Sequence, residues 1–272
     1  MSAARVAVVQ FPGVNCEAET LRALARLGLE AEVVRWTRPP AALAVFDAYV
    51  LPGGFAWQDR VRAGVLAAEH PLVETLAAEA ARGKPVLGIC NGAQVLVEAG
   101  LVPDGGEVAL ALAPNRMPDR SGYHARWVYV RVEASACALT RHLEPGTVLP
   151  LPVAHGEGRF TARETGTLER LAAAGQVPLR YATLDGAPAT EFPANPNGAD
   201  AAAAAVCNAR GNVLALMPHP ERAQELGAVA RAIGGAWGER RDRALERGGG
   251  EGDAEGPGLV LLRGLRAHLE RA

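Results

Sequence analysis

The chain has a single lysine, Lys84, and relies on arginine for its other fixed positive charges; 28 basic against 30 acidic residues leave a net charge of −2 over 272 residues. A balance so close to neutral provides no basic face for nucleic acid. No glycine-rich phosphate loop carries a lysine, so no nucleotide and no other cofactor is assigned to this chain. No apolar run approaches the roughly 18 residues of a membrane span. The start, Met1-Ser2-Ala3-Ala4-Arg5, lacks the charged, apolar and cleavage regions of a signal peptide, and a cytoplasmic location is expected. Four cysteines, at 16, 90, 137 and 207, are too scattered for a disulfide framework or a zinc pattern. No metal is expected, and a reducing compartment suits the thiols. Apolar residues make up 49% of the chain, ample for a core, and one domain over residues 1–272 is expected.

The hydrophobic pattern alternates strands and helices. Strands are expected over 5–10, 31–36 and 48–51 and just before Cys90, with helices over 17–27, 71–81 and 93–99. Alternation at this pitch implies right-handed crossovers and a mostly parallel sheet, an α/β fold with flanking helices. Beyond Gly100 the texture changes to short β-like pieces at 108–112, 126–132, 148–153 and 179–183, read as antiparallel strands added to the same sheet. Residues 201–207 and 212–217 flank a tight turn and read as a hairpin. The tract from about 227 to 257 is rich in Gly, Arg and Glu and reads as a low-complexity, mobile insertion before a last helix over 258–269.

Gly88-Ile89-Cys90-Asn91-Gly92 carries the clearest chemical signal. A buried strand enters it, a helix leaves it, and glycines two residues to either side match a nucleophile elbow, where a strained turn needs small neighbours and pushes one side chain out. The start of a helix favours thiolate. Upstream, Pro52-Gly53-Gly54-Phe55 follows a strand and suits close approach of backbone to a ligand, although a plain turn explains the same glycines. Cys16 also precedes a helix, but Val14 and Ala18 replace the glycines, so it reads as a structural thiol. Cys137 and Cys207 read as core residues.

A thiolate needs a base, and the base an orienting acceptor. His155-Gly156-Glu157 and His219-Pro220-Glu221 both offer His-x-Glu. Prolines on either side of His219 preorganise it, which favours that pair, while His155 reads as part of a mobile or contact loop; both remain open on local chemistry. His70, His124, His142 and His268 read as surface or capping residues. Asp59 and Arg62 could hold a zwitterion or form a surface pair.

Gly88-Ile89-Cys90-Asn91-Gly92-Ala93-Gln94, with Pro52-Gly53-Gly54 and Pro218-His219-Pro220-Glu221, resembles the class I glutamine amidotransferase domain, whose sheet is flavodoxin-like. The segments 11–17, 153–160, 195–198 and 217–223 are similar, more narrowly, to the glutaminase subunits of phosphoribosylformylglycinamidine synthase. The resemblance implies a triad of Cys90, His219 and Glu221, with Gly53, Gly54, Asn91 and Gln94 binding the oxyanion and substrate. It implies glutamine as substrate and delivery of ammonia to a large synthase subunit, accompanied by a small accessory subunit, in purine biosynthesis. That partner would use ATP and Mg²⁺ to convert formylglycinamide ribonucleotide. Ala93 and Gln58 depart from the family pattern, where a bulkier residue and a glycine are usual. The other readings are the glutaminase of another amidotransferase, a free-standing cysteine hydrolase of the same fold, and a non-catalytic regulatory subunit.

Overall fold

A computed structural model describes residues 4–104, 108–247, 252 and 254–271. The first half of the chain runs β1 (Arg5–Gln10), α1 (Glu17–Arg26), β2 (Glu30–Arg35), β3 (Ala48–Leu51), α2 (Val65–Ala68), α3 (Pro71–Ala81), β4 (Val86–Ile89) and α4 (Asn91–Glu98). The second half runs β5 (Leu110–Ala113), β6 (His124–Val132), β7 (Val148–His155), β8 (Arg159–Ala162), α5 (Thr167–Ala173), β9 (Leu179–Ala182), β10 (Ala203–Cys207), β11 (Val213–Leu216), α6 (Gly235–Arg247) and α7 (Pro257–Leu269).

Nine strands form one sheet in the order β2-β1-β3-β4-β11-β10-β9-β6-β7. The pairs from β2 through β11 are parallel, and from β11 onward every neighbour is antiparallel. β3, β4, β10 and β11 are buried along their whole length, as expected where elements cover both faces of a sheet. Two reversals between β11 and β9, and two more between β9 and β7, turn β7 the same way as β4. The carboxyl ends of β1, β3, β4, β11 and β7 therefore open on one edge, where open α/β sheets hold their ligands.

Two expectations change. β5, expected at 108–112 as part of the main sheet, does not join it; it pairs antiparallel with β8, a strand the sequence did not suggest, as a separate ribbon. The chain leaves the sheet after β7 through Gly156-Glu157-Gly158, where the Asn115 amide donates to the His155 carbonyl at 2.7 Å and its oxygen accepts from the Gly158 N–H at 3.2 Å. The expected mobile tract near 227–257 is helical over Gly235–Arg247. Few apolar residues anchor that helix, which is why composition hides it. Its anchors are Trp237, whose Nε1 donates to the Val148 carbonyl at 3.1 Å, and the buried Arg241, which donates to the Ala230 and Ile233 carbonyls. Leu226, Val229, Ile233 and Ala244 form a small apolar cluster against which Trp237, Trp127 and Tyr129 pack. Residues 248–251 and 253 of that tract lie outside the described residues.

The last helix bears directly on the sheet edge. The Gly258 N–H donates to the Ala223 carbonyl at 2.8 Å, and a Cβ on Gly258 would stand 1.9 Å from the Pro220 carbonyl oxygen. α7 thus presses, backbone on backbone, against the turn after β11. In Gly258→Ala that turn or the helix must move, and overpacking of this kind costs about 1–3 kcal/mol. Thermal unfolding should show a lower midpoint for this variant; an unchanged midpoint would mean that the close packing of α7 contributes nothing.

Candidate active site

Cys90 stands at the end of β4, its N–H donating to the Leu216 carbonyl of β11 at 2.7 Å. Its backbone lies at φ 51°, ψ −104°, a left-handed conformation that a non-glycine residue adopts at a cost of about 1–3 kcal/mol. The flanking glycines make this turn fit. A Cβ on Gly92 would stand 2.0 Å from the Leu51 carbonyl oxygen, and one on Gly88 would stand 2.5 Å from that of Gly92. Strand, elbow and helix are therefore jammed together against β3, and Cys90 is directed out of the turn with its sulfur 3.6 Å from the Ala154 carbonyl of β7.

His219 follows β11 across the same edge, its N–H donating to the Pro152 carbonyl at 2.8 Å. Its Nδ1 lies 2.6 Å from Glu221 Oε1, and both side chains are almost wholly buried. Nε2 has no fixed hydrogen-bond partner. Burial opposes charge on the imidazole, but Glu221 and the Cys90 and Cys16 sulfurs outweigh it, and the His219 pKa is raised well above the ordinary histidine value. A protonated imidazole facing a cysteine is the arrangement a nucleophile and its proton carrier require.

The remaining expected residues lie around this pair. Gly53 is needed here: a Cβ would come 2.7 Å from His219 Cε1 and 3.1 Å from Cys16 Sγ. Gly54, at φ 155°, packs on the β1–α1 loop, where a Cβ would stand 2.5 Å from Val14 Cα. Asn91 joins the elbow to the glycine turn, accepting from the Ala56 N–H at 2.9 Å and donating to Asp59 and Gln94 at 3.1 and 2.9 Å. Gln94, expected to meet substrate, has a buried side chain that accepts from Asn91 and donates to the Glu157 carbonyl at 2.6 Å. It acts as a strut between α4 and the 156–158 loop.

Other sequence expectations are corrected by burial. His155 is 3% exposed and belongs to the wall of the site, not to a mobile surface; Nδ1 lies 3.0 Å from Asn115 Oδ1. Burial first, then repulsion from His219 and His124, pushes its pKa down to about 3, so it stays neutral beside a charged neighbour. His124 is likewise buried, whereas His70 caps α3 as expected, accepting from the Leu72 N–H at 3.2 Å. Asp59 and Arg62 do not pair: Arg62 goes to Glu98 at 2.7 Å. Sequence reasoning missed Asn115 and Asn197, which hold the loop after β7, Asn197 donating to the Gly158 carbonyl at 2.7 Å. It also missed Arg222, which donates to Cys16 Sγ at 2.9 Å. Asn197 and Arg222 lie in the segments 195–198 and 217–223 that carry the resemblance, but nothing in the sequence gave either residue a role.

Beyond the glycine turn, Trp57, Gln58, Asp59 and Val61 all take positive φ. Gln58, at φ 61°, stands where a glycine would carry no steric penalty. Among the described residues, Cys16, His219 and Glu221 are the group whose ligand atoms, within 4.8 Å of one another, could approach a metal. A guanidinium on the sulfur and a histidine on the carboxylate fit proton handling better than a cation cage.

A family model described as a CobB/CobQ-like glutamine amidotransferase domain matches residues 3–242. Phosphoribosylformylglycinamidine synthase subunit PurQ of Methanothrix thermoacetophila is 48% identical over 226 residues, covering 80% of this chain and 86% of that one. The PurQ subunit of Thermomicrobium roseum is 47% identical over 238 residues, covering 87% and 92%. Among solved structures, PurLQS from Thermotoga maritima superposes with a TM-score of 0.67 at 32% identity, covering 90% of this chain and 99% of that one. A glutamine amidotransferase from the same organism, at 17% identity and a TM-score of 0.51, shares the fold.

Burial, followed by the nearby Glu157 carboxylate, raises the Asp59 pKa to about 6, against the lowering effect of the Asn91 hydrogen bond. A carboxyl with a raised folded pKa disfavours the native state as pH climbs from the unfolded value through the folded one. Asp59→Asn keeps the acceptor for Asn91 and removes that charge. Its advantage in unfolding midpoint over the wild type should grow between pH 4 and pH 6 and level off above pH 7; an advantage independent of pH would contradict the buried-charge account.

Proposed function

The chain belongs to the glutamine amidotransferase family, among the PurQ subunits of phosphoribosylformylglycinamidine synthase, and from that membership we propose that it releases ammonia from glutamine for a synthase partner. The observation that carries the proposal is the meeting of Cys90, on its strained turn, with a His219 held by Glu221 at 2.6 Å.

Cys90, as thiolate, attacks the γ-carboxamide carbon of glutamine. The carbonyl oxygen takes up negative charge, which the backbone N–H groups of the Gly53-Gly54 turn and of Asn91 receive; preorganised donors of this kind are worth about 3–4 kcal/mol each. His219 gives its proton to the amide nitrogen as the C–N bond breaks, and ammonia leaves a γ-glutamyl thioester. His219, now neutral, takes a proton from water, whose oxygen attacks the thioester carbon. Glutamate departs and thiolate and imidazolium are restored. Glu221 keeps Nδ1 protonated and aims Nε2 at the reacting atoms.

Ammonia that escaped into water would become ammonium and lose its nucleophilicity, so the reading includes a shielded transfer to a partner. The PurLQS structure supports a large synthase subunit and a small subunit as that partner. ATP and Mg²⁺ belong in this proposal to the synthase, which converts formylglycinamide ribonucleotide to its amidine. The one lysine of this chain is engaged elsewhere, on the Ala44 carbonyl at 3.0 Å and on Glu79 at 2.6 Å. A cytoplasmic location completes the proposal. Among the described residues no helix is long and apolar enough to cross a membrane.

The decisive experiment measures glutamate release from glutamine by wild type and Cys90→Ser, alone and with the matching synthase subunits, formylglycinamide ribonucleotide and ATP. Weak turnover alone, strong turnover in the mixture and a loss of at least about 10⁴-fold in Cys90→Ser are expected. Turnover that the mixture leaves unchanged would remove the synthase partner and favour a free-standing hydrolase. Activity surviving in Cys90→Ser would remove the nucleophile.

A further inference from the structure

One thiol of the site takes no part in the chemistry above. Cys16 is 1% exposed and sits where the β1–α1 loop meets the glycine turn. Its own N–H and that of Asn15 each donate to the Gly53 carbonyl at 3.2 Å, and Thr20 Oγ1 donates to the Cys16 carbonyl at 2.7 Å. These bonds fix the sulfur in place. Arg222 Nη2 donates to it at 2.9 Å. The sulfur, a ring nitrogen of His219 and a carboxylate oxygen of Glu221 all lie within 4.8 Å of one another. Gly53 keeps this space open, since a Cβ there would stand 3.1 Å from Cys16 Sγ, 2.7 Å from His219 Cε1 and 3.4 Å from its Nδ1. The thiol therefore faces the Nδ1–Cε1 edge of the ring that Glu221 also holds.

We propose that Cys16 is a positioning residue for His219: polarised by Arg222, its sulfur is a second electron-rich partner beside Glu221 and holds the imidazole in line with Cys90. The inference rests on reading Cys90 and His219 as the glutaminase centre and deepens it. A ring held by one carboxylate can still pivot about that single bond; a second acceptor, carried by a different element, removes the pivot. The groups that face His219 are Cys16 ahead of α1, Cys90 between β4 and α4, Glu221 and Arg222 on its own turn, and His155 at the end of β7. Cys16, Cys90 and Glu221 favour the imidazolium against the penalty of burial. His155 is neutral there, and Arg222 is directed into the sulfur.

The test is the pH profile of glutamine hydrolysis by the assembled complex carrying Cys16→Ala or Cys16→Ser. Loss of an acceptor that favours the imidazolium lowers the pKa of that ring by about one unit. The alkaline limb of kcat/KM, where the imidazolium is lost, should move down by about that much in Cys16→Ala, and less in Cys16→Ser, which keeps an acceptor. kcat should fall about tenfold with KM within about twofold, as for a residue that acts on the proton carrier and not on substrate. An alkaline limb unmoved in both variants would overturn the proposal, whatever happens to the rate. Should those variants fold poorly, ¹³C-labelled Cys90→Ser protein leaves Cys16 untouched. There the Cys16 Cβ and His219 Cε1 resonances should share a titration midpoint, and independent midpoints would overturn the coupling. Absence of glutaminase activity in the wild-type complex would instead count against the proposed function.

Discussion

The site depends on one strained turn. Cys90 holds a left-handed backbone conformation only because strand β4, helix α4 and the end of β3 meet without side chains between them, with Gly88 and Gly92 at contacts that no Cβ fits. The strain is local and the compensation is not. β4 is buried along its length and paired on both sides, to β3 and β11, and that packing over-determines the turn. A surface loop with the same pentapeptide would relax.

Parallel strands supply the second condition. Because β1, β3, β4 and β11 run the same way, the loops that follow them emerge together, bringing Cys16, Gly53, Cys90 and His219 to one edge from positions far apart in the chain. β7, reached through four antiparallel steps, brings the Ala154 carbonyl and His155 to that edge as well. Polar side chains then lock the loops to each other. Asn91 joins the elbow to the glycine turn, and Asn115 and Asn197 hold the loop after β7. From below, α7 braces the turn that carries Glu221, and Gln224 donates to the Glu221 carbonyl at 2.7 Å.

Electrostatics separates two histidines that share one sequence pattern. His219 has a carboxylate on Nδ1 and sulfur nearby, and it is held as the charged form. His155 has an amide oxygen on Nδ1 and a positive neighbour, and it is held neutral. Buried imidazoles so close together cannot both carry charge at low cost, so the partner of each one assigns its role.

Local regularity was legible in the residues themselves. Periodicity marks the strands over 5–10 and 48–51 and the helix over 71–81, and glycine spacing marks the elbow, because these features depend on neighbours a few positions away. The parallel core with antiparallel additions follows from the same alternation. What could not be read locally is everything set by partners distant in sequence. α6 is stabilised by a buried arginine and a tryptophan reaching β7, not by an apolar stripe, so composition suggested mobility. β5 has strand character, but character does not choose a partner, and it pairs with β8, which the sequence did not reveal, instead of with the main sheet. Cys16 looked structural because an elbow requires glycines around the reactive residue; its place beside His219 arises from a contact between residues 16 and 222 that no spacing encodes. The sequence by itself determined the elements and the chemistry available at their ends. Only the tertiary structure decided which ends meet, because strand order and burial set the distance and the charge of every group in the site.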